Sequence, residues 1–176
     1  MKTSTKLIQV FSQNDFEEKM YRLNIDRFNV NEFYDKAFIQ IIGTPECRKY
    51  YLNDDITKHW FINCTSNNVL NLEFDDIDED EIVWNKRIFK GINNKQAKQI
   101  VNFIELHKGK DFYISCRAGK SRSQGICRYI LDMYGKEYGY DETKSCRKDN
   151  PCLTPNMRVV TMLKREYYKL KGYNLE

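Results

Sequence analysis

The chain has 176 residues, of which 41% are hydrophobic, 14% aromatic and 31% charged, enough apolar sequence to build the core of one domain spanning 1–176 and too much for a disordered chain. No apolar run approaches the roughly 18 residues that span a bilayer, and the start Met1-Lys2-Thr3-Ser4-Thr5-Lys6 leads into no long apolar stretch, so neither a membrane span nor a secretory signal is expected and the cytoplasm is the expected location. The net charge of +4 hides an asymmetry: six of the 25 acidic residues crowd into 75–81, leaving 29 basic against 19 acidic residues elsewhere, a net +10 that suits an anionic partner.

Short apolar runs alternate with helical periodicity, the pattern of an α/β layer fold with a central, mostly parallel sheet flanked by helices. Strands are predicted at 7–11, 37–42, 60–64, 69–74 and 112–115. Asn14-Asp15 is read as the cap of a first helix over 16–23. A second helix over 94–107 places Ala97, Ile100, Val101 and Ile104 on one face. A third begins near Ser121 and stacks Ile126, Cys127, Ile130, Leu131 and Tyr134. Pro155 is read as opening a fourth, with Val159, Val160, Leu163, Tyr167 and Leu170 as its apolar stripe and Arg158, Lys164, Arg165, Lys169 and Lys171 on a solvated face. These stripes read as core; they place motifs and name no function.

The six cysteines (47, 64, 116, 127, 146 and 152) contain no C-x2-C spacing, and His59 and His107 are the two histidines, so no structural zinc site is expected. Thiols in such a chain fit a reducing compartment. The acidic run is no calcium loop either: Glu81 stands where a glycine is required and Arg87 where the bidentate carboxylate should be. No metal and no cofactor is expected.

The segment that carries chemistry is Cys116-Arg117-Ala118-Gly119-Lys120-Ser121-Arg122-Ser123, which joins a buried strand directly to a helix. Loop amides and the helix dipole together make a cradle the size of a phosphate, and their field favours a thiolate at Cys116. The planar fork of Arg122 can hold two phosphate oxygens, and Ser123 can offer its hydroxyl to the sulfur. C-x5-R alone is a weak signal: Cys152 to Arg158 repeats it, without glycine, with Pro155 where a donor is wanted and with a polar run in place of the strand.

With its glycine and the Ser after the Arg, the Cys116 segment resembles the signature H-C-x2-G-x2-R-[ST] of the cysteine-dependent protein tyrosine and dual-specificity phosphatases, in a compact phage-like or bacterial form. The resemblance extends thinly over about 37–170 and includes Pro155-Asn156 before the last helix. It implies Cys116 as nucleophile, Arg122 with the loop residues Arg117, Ala118, Gly119, Lys120 and Ser121 as the phosphate site, and Ser123 as the aid to sulfur departure. One position departs from it, Ser115 standing where the family has His. The family draws its proton donor from a loop after an earlier strand. Phe74-Asp75-Asp76 resembles that F-x-D and points to Asp76, with Asp75 as the alternative and Asp78 and Asp80 in the same run. In some relatives a cysteine on a neighbouring strand protects the nucleophile by a reversible disulfide; Cys64 is the candidate here, with packing as its other reading.

The implied activity is hydrolysis of phosphate monoesters, on phosphorylated proteins first, by a monomer. Arg117 and Lys120 resemble the doubly basic loop of phosphoinositide phosphatases, which keeps inositol lipids and RNA 5′-phosphates as alternative substrates. Two other readings are a rhodanese-type sulfurtransferase, whose loop is one residue shorter, and a phosphate-binding module without turnover.

Overall fold

A computed structural model describes residues 6–51, 58–140 and 154–173. Five parallel strands form the sheet: β1 (Lys6–Ser12), β2 (Lys36–Ile42), β3 (Val69–Glu73), β6 (Asp111–Cys116) and β7 (Tyr138–Tyr140), in the order β3-β2-β6-β1-β7. A separate antiparallel hairpin pairs β4 (Glu81–Trp84) with β5 (Arg87–Lys90). The helices are α1 (Gln13–Arg22), α2 (Pro45–Tyr51), α3 (Asn94–Leu106), α4 (Arg122–Tyr134) and α5 (Met157–Leu170). The expected α/β class with a parallel sheet and flanking helices is what the chain adopts. Among the described residues no helix is long and apolar enough to cross a membrane.

The period-two alternation of the central strands sorts their side chains into two cores. Ile8 and Val10 of β1, Ala37, Ile39 and Ile41 of β2, and Phe112, Ile114 and Cys116 of β6 face α3, α4 and α5. Phe11, Phe38 and Tyr113 face the other way and pack with Phe16 and Met20 of α1, Val30 and Phe61. Both faces of the strands are therefore apolar, as a sheet covered on both sides requires. Cys116 belongs to the face that carries α4, whereas Ser115, also buried, belongs to the face of α1.

Several expected boundaries move. The strand expected at 60–64 is a pair of turns: Ile62 and Cys64 donate back to His59 and Phe61, and Asn63 has φ +58°. Side-chain amides satisfy its backbone in place of a strand partner, since Gln40 accepts from Phe61 N and Asn71 donates to Phe61 O. The place beside β2 is taken by β3. Helix α1 starts three residues early because Ser12, not Asn14-Asp15, is its cap and accepts from Asp15 N. The last helix is capped by Asn156, so Pro155 precedes it and does not open it. The Cys152 C-x5-R segment begins outside the described residues, as does Cys146.

Candidate active site

Strand β6 ends at Cys116 between β2 and β1, the centre of the sheet, and the chain turns at once into α4. Gly119 makes that turn possible. Its φ is +67°, and a Cβ there would lie 2.6 Å from Ser12 N and 2.7 Å from Phe11 C, so the loop presses directly on the end of β1. The loop carbonyls are used on its outer side: Arg117 O accepts from Gln13 N, Gly119 O from Gln124 Nε2, and Ser121 O from Gly125 N and Asn156 N. In a trans peptide the following N–H points opposite to the carbonyl, so the amides of Ala118, Lys120 and Arg122 face the other side of the loop. Ser121 occupies the cap position of α4 but makes no capping hydrogen bond; its hydroxyl goes to Asp76 instead. The first turn of α4 thereby keeps its donors for an anion.

Cys116 Sγ lies 3.0 Å from Ser123 Oγ, both buried. Cys116 lines a cavity of about 320 Å³ whose wall also includes Arg117, Ala118, Lys120, Ser121 and Arg122, together with Asp75 and Asp76. Arg122 is only 6% exposed. Its Nη1 donates to Phe74 O at 2.7 Å, tying α4 to the end of β3, while its Nε is buried without a partner. Among the described residues no carboxylate forms an ion pair with it. A desolvated guanidinium without an ion-pair partner costs several kcal/mol, roughly, so negative charge placed beside Arg122 in this cavity would be stabilised. Arg117 and Lys120, by contrast, are exposed at its rim.

The two adjacent carboxylates have opposite surroundings. Asp75 is 2% exposed and fully engaged: Oδ1 accepts from Thr44 N (2.8 Å), and Oδ2 from Thr44 Oγ1 (2.7 Å) and Lys90 N (2.8 Å). It ties the turn after β2 to β5. Asp76 is exposed, and its Oδ1 accepts from Ser121 Oγ at 2.7 Å and Asn156 Nδ2 at 2.9 Å, which sets it against the anion loop. Asp78 and Asp80 lie farther along the same loop, where Arg158 holds the carbonyl of Asp78, the carboxylate of Asp80 and Ile92 O. Arg158 is thus a clamp on the acidic loop and not part of a solvated face.

Cys64 is not on a strand beside β6, whose neighbours are β1 and β2. Its sulfur accepts from Ser66 N and packs against the α1-side core. The second thiol in the cavity wall is Cys47, on α2. Burial, with Asp75 beside it, pushes the Cys47 thiol up to about 11, Arg122 and Arg117 pulling the other way. Neither α2 nor Cys47 was anticipated, although Thr44-Pro45 is an N-cap followed by a proline suited to a first helical turn. Asn156 also joins the site unannounced, reaching Asp76 across 80 positions of sequence.

Compared with protein-family models, with curated proteins and with solved structures, the chain matches none.

Proposed function

We propose that this chain is a metal-independent cysteine phosphatase that hydrolyses phosphate monoesters, with phosphorylated proteins as the first substrate class. The observation that carries the reading is Arg122: a buried guanidinium, unpaired at Nε, in the wall of the cavity that also holds Cys116. A cysteine sulfur beside a buried guanidinium suits phosphorus chemistry of the kind the dual-specificity phosphatases perform.

The thiolate of Cys116 attacks phosphorus and forms the S–P bond as the P–O bond to the leaving group breaks. The carboxyl of Asp76 gives its proton to that departing oxygen. Water then attacks phosphorus, passes its proton to the Asp76 carboxylate, and the S–P bond breaks. Phosphate leaves and the hydroxyl of Ser123, 3.0 Å from the sulfur, stabilises the returning thiolate. Arg122 and the loop amides meet the charge on the three equatorial oxygens through both steps.

A second reading keeps this chemistry and changes the substrate. Arg117 and Lys120 at the rim favour a multiply charged ester, an inositol lipid or an RNA 5′-phosphate. A panel of phosphotyrosine and phosphothreonine peptides, an inositol phosphate and 5′-triphosphorylated RNA ranks the classes by kcat/KM. Turnover of the preferred ester should vanish in Cys116→Ser with binding retained, survive a chelator and stop with vanadate. Turnover in Cys116→Ser ends the nucleophile assignment. Binding without turnover by the unaltered chain replaces the enzyme with a phosphate reader, and thiosulfate turnover alone makes it a sulfurtransferase.

A further inference from the structure

We infer that Asn156 is a positioning residue for the proton donor: it fixes Oδ1 of Asp76 as a pure acceptor, so that the transferable proton is carried on Oδ2. This role rests on the phosphatase reading above. Asn156 is 7% exposed, and every polar group it has is committed. Its Oδ1 accepts from Val159 N at 3.1 Å as the cap of α5, and its backbone N–H donates to Ser121 O at 3.1 Å. Its Nδ2 donates to Asp76 Oδ1 at 2.9 Å and to Ile77 O at 3.4 Å. One residue therefore joins three pieces: its backbone N–H holds the Cys116–Arg122 loop, and its side chain holds the acidic loop and caps the last helix.

The chemistry follows from the count of lone pairs. A carboxylate oxygen offers two acceptor sites, and Asp76 Oδ1 uses both, on Ser121 Oγ and Asn156 Nδ2. A proton arriving at Asp76 goes to Oδ2. The side-chain rotamer is fixed by the same two donors, so Oδ2 keeps one direction through the protonation and deprotonation that two-step hydrolysis demands. The amide cannot swap its ends to relieve this, because its oxygen is held by the N-terminus of α5. Close packing secures the arrangement: a Cβ on Gly125 would stand 2.9 Å from Asn156 O, so the helix carrying Arg122 and the residue holding Asp76 are in direct contact.

The test separates positioning from mere capping. Asn156→Ser keeps a side-chain cap for α5 but cannot reach Asp76, and it should melt within about 3 °C of the unaltered chain. Its kcat should fall roughly 30-fold or more on phenyl phosphate, whose leaving group needs the proton, and less than about 3-fold on 4-nitrophenyl phosphate, whose leaving group does not. Asn156→Asp keeps the cap acceptor and sets a second carboxylate against Asp76, so the alkaline limb of its kcat profile should move up by about one pH unit. Equal losses on the two esters, or no loss, overturn the positioning role, as does an unmoved alkaline limb in Asn156→Asp should the serine variant not fold. An unaltered chain that hydrolyses neither ester overturns the phosphatase reading itself, and this role with it.

Discussion

Arg122→Met separates the cost of the anion seat from its use. The guanidinium is 6% exposed, donates to Phe74 O and, among the described residues, leaves Nε unmatched. Methionine fills similar space without charge. The variant loses a hydrogen bond from a charged donor, worth about 1.5–3 kcal/mol, and sheds an uncompensated buried charge whose effective penalty is several kcal/mol, roughly. The two nearly cancel, with the balance toward the variant, so its Tm in phosphate-free buffer should equal or exceed that of the unaltered chain by up to about 4 °C. Activity should move the other way. Two charge-assisted hydrogen bonds to the phosphoryl oxygens, at about 1.5–3 kcal/mol each, amount to roughly 10²–10⁴-fold in kcat/KM. Inorganic phosphate should raise the Tm of the unaltered chain, by an amount that grows with the logarithm of its concentration above Kd, and leave the variant's Tm unmoved. A variant that melts far lower, with a parent whose Tm ignores phosphate, would mean that Arg122 is a structural tie between α4 and β3 and that the cavity seats no anion.

Ser123→Ala removes the partner of Cys116 Sγ and should slow breakdown of the S–P intermediate more than its formation, giving a burst of phenolate in stopped flow; a linear trace at full rate refutes that role. Asp75→Ala strips the acceptor from Thr44 N, Thr44 Oγ1 and Lys90 N and should cost about 2–4 kcal/mol of stability by urea unfolding, while Asp76→Ala, exposed, should cost under about 1 kcal/mol yet lose the alkaline limb of the kcat profile. The reverse pattern would exchange the two assignments. Burial holds His59 and His107 below the ordinary imidazole range, and His107 Nδ1 is buried without a partner. The unfolded chain then takes up protons that the folded one refuses below about pH 6.5, so the urea midpoint should drop between about pH 7.5 and about pH 5.5 and level off above that window; a flat profile would contradict the burial argument.

What the sequence disclosed follows from where local and long-range forces agree. The strands β1, β2, β3 and β6 and the helices α3 and α4 were legible because an apolar period of two or of about 3.6 was backed by burial on matching faces. The turn pair at 59–64 misled because Trp60, Phe61 and Ile62 are apolar for different reasons: Phe61 enters the α1-side core, Trp60 packs at its edge and donates to Ile25 O, and Ile62 stands at the surface. The hairpin β4–β5 was hidden because its two turn residues, Asn85 and Lys86, both adopt positive φ without the glycine that normally signals such a turn. Helix α2 is too short for periodicity, and only its Thr44-Pro45 start could have announced it.

At the candidate site, the strand–loop–helix around Cys116 was legible because its parts are contiguous: strand, loop and helix N-terminus come in one stretch of chain, and chain order is spatial order there. The surroundings of the two adjacent carboxylates and the second thiol were not, because each depends on what crosses from elsewhere. Asp75 and Asp76 are chemically identical and adjacent, in the loop just past β3, yet Thr44 and Lys90 take one and Ser121 and Asn156 the other. Cys64 and Cys47 differ in the same way. The order of the sheet sets β2 beside β6, so the helix that follows β2 carries Cys47 to the cavity, while the segment bearing Cys64 turns off into the opposite core. Residue type names the chemistry a position can do, and only the neighbours brought by topology decide which of two equal residues does it.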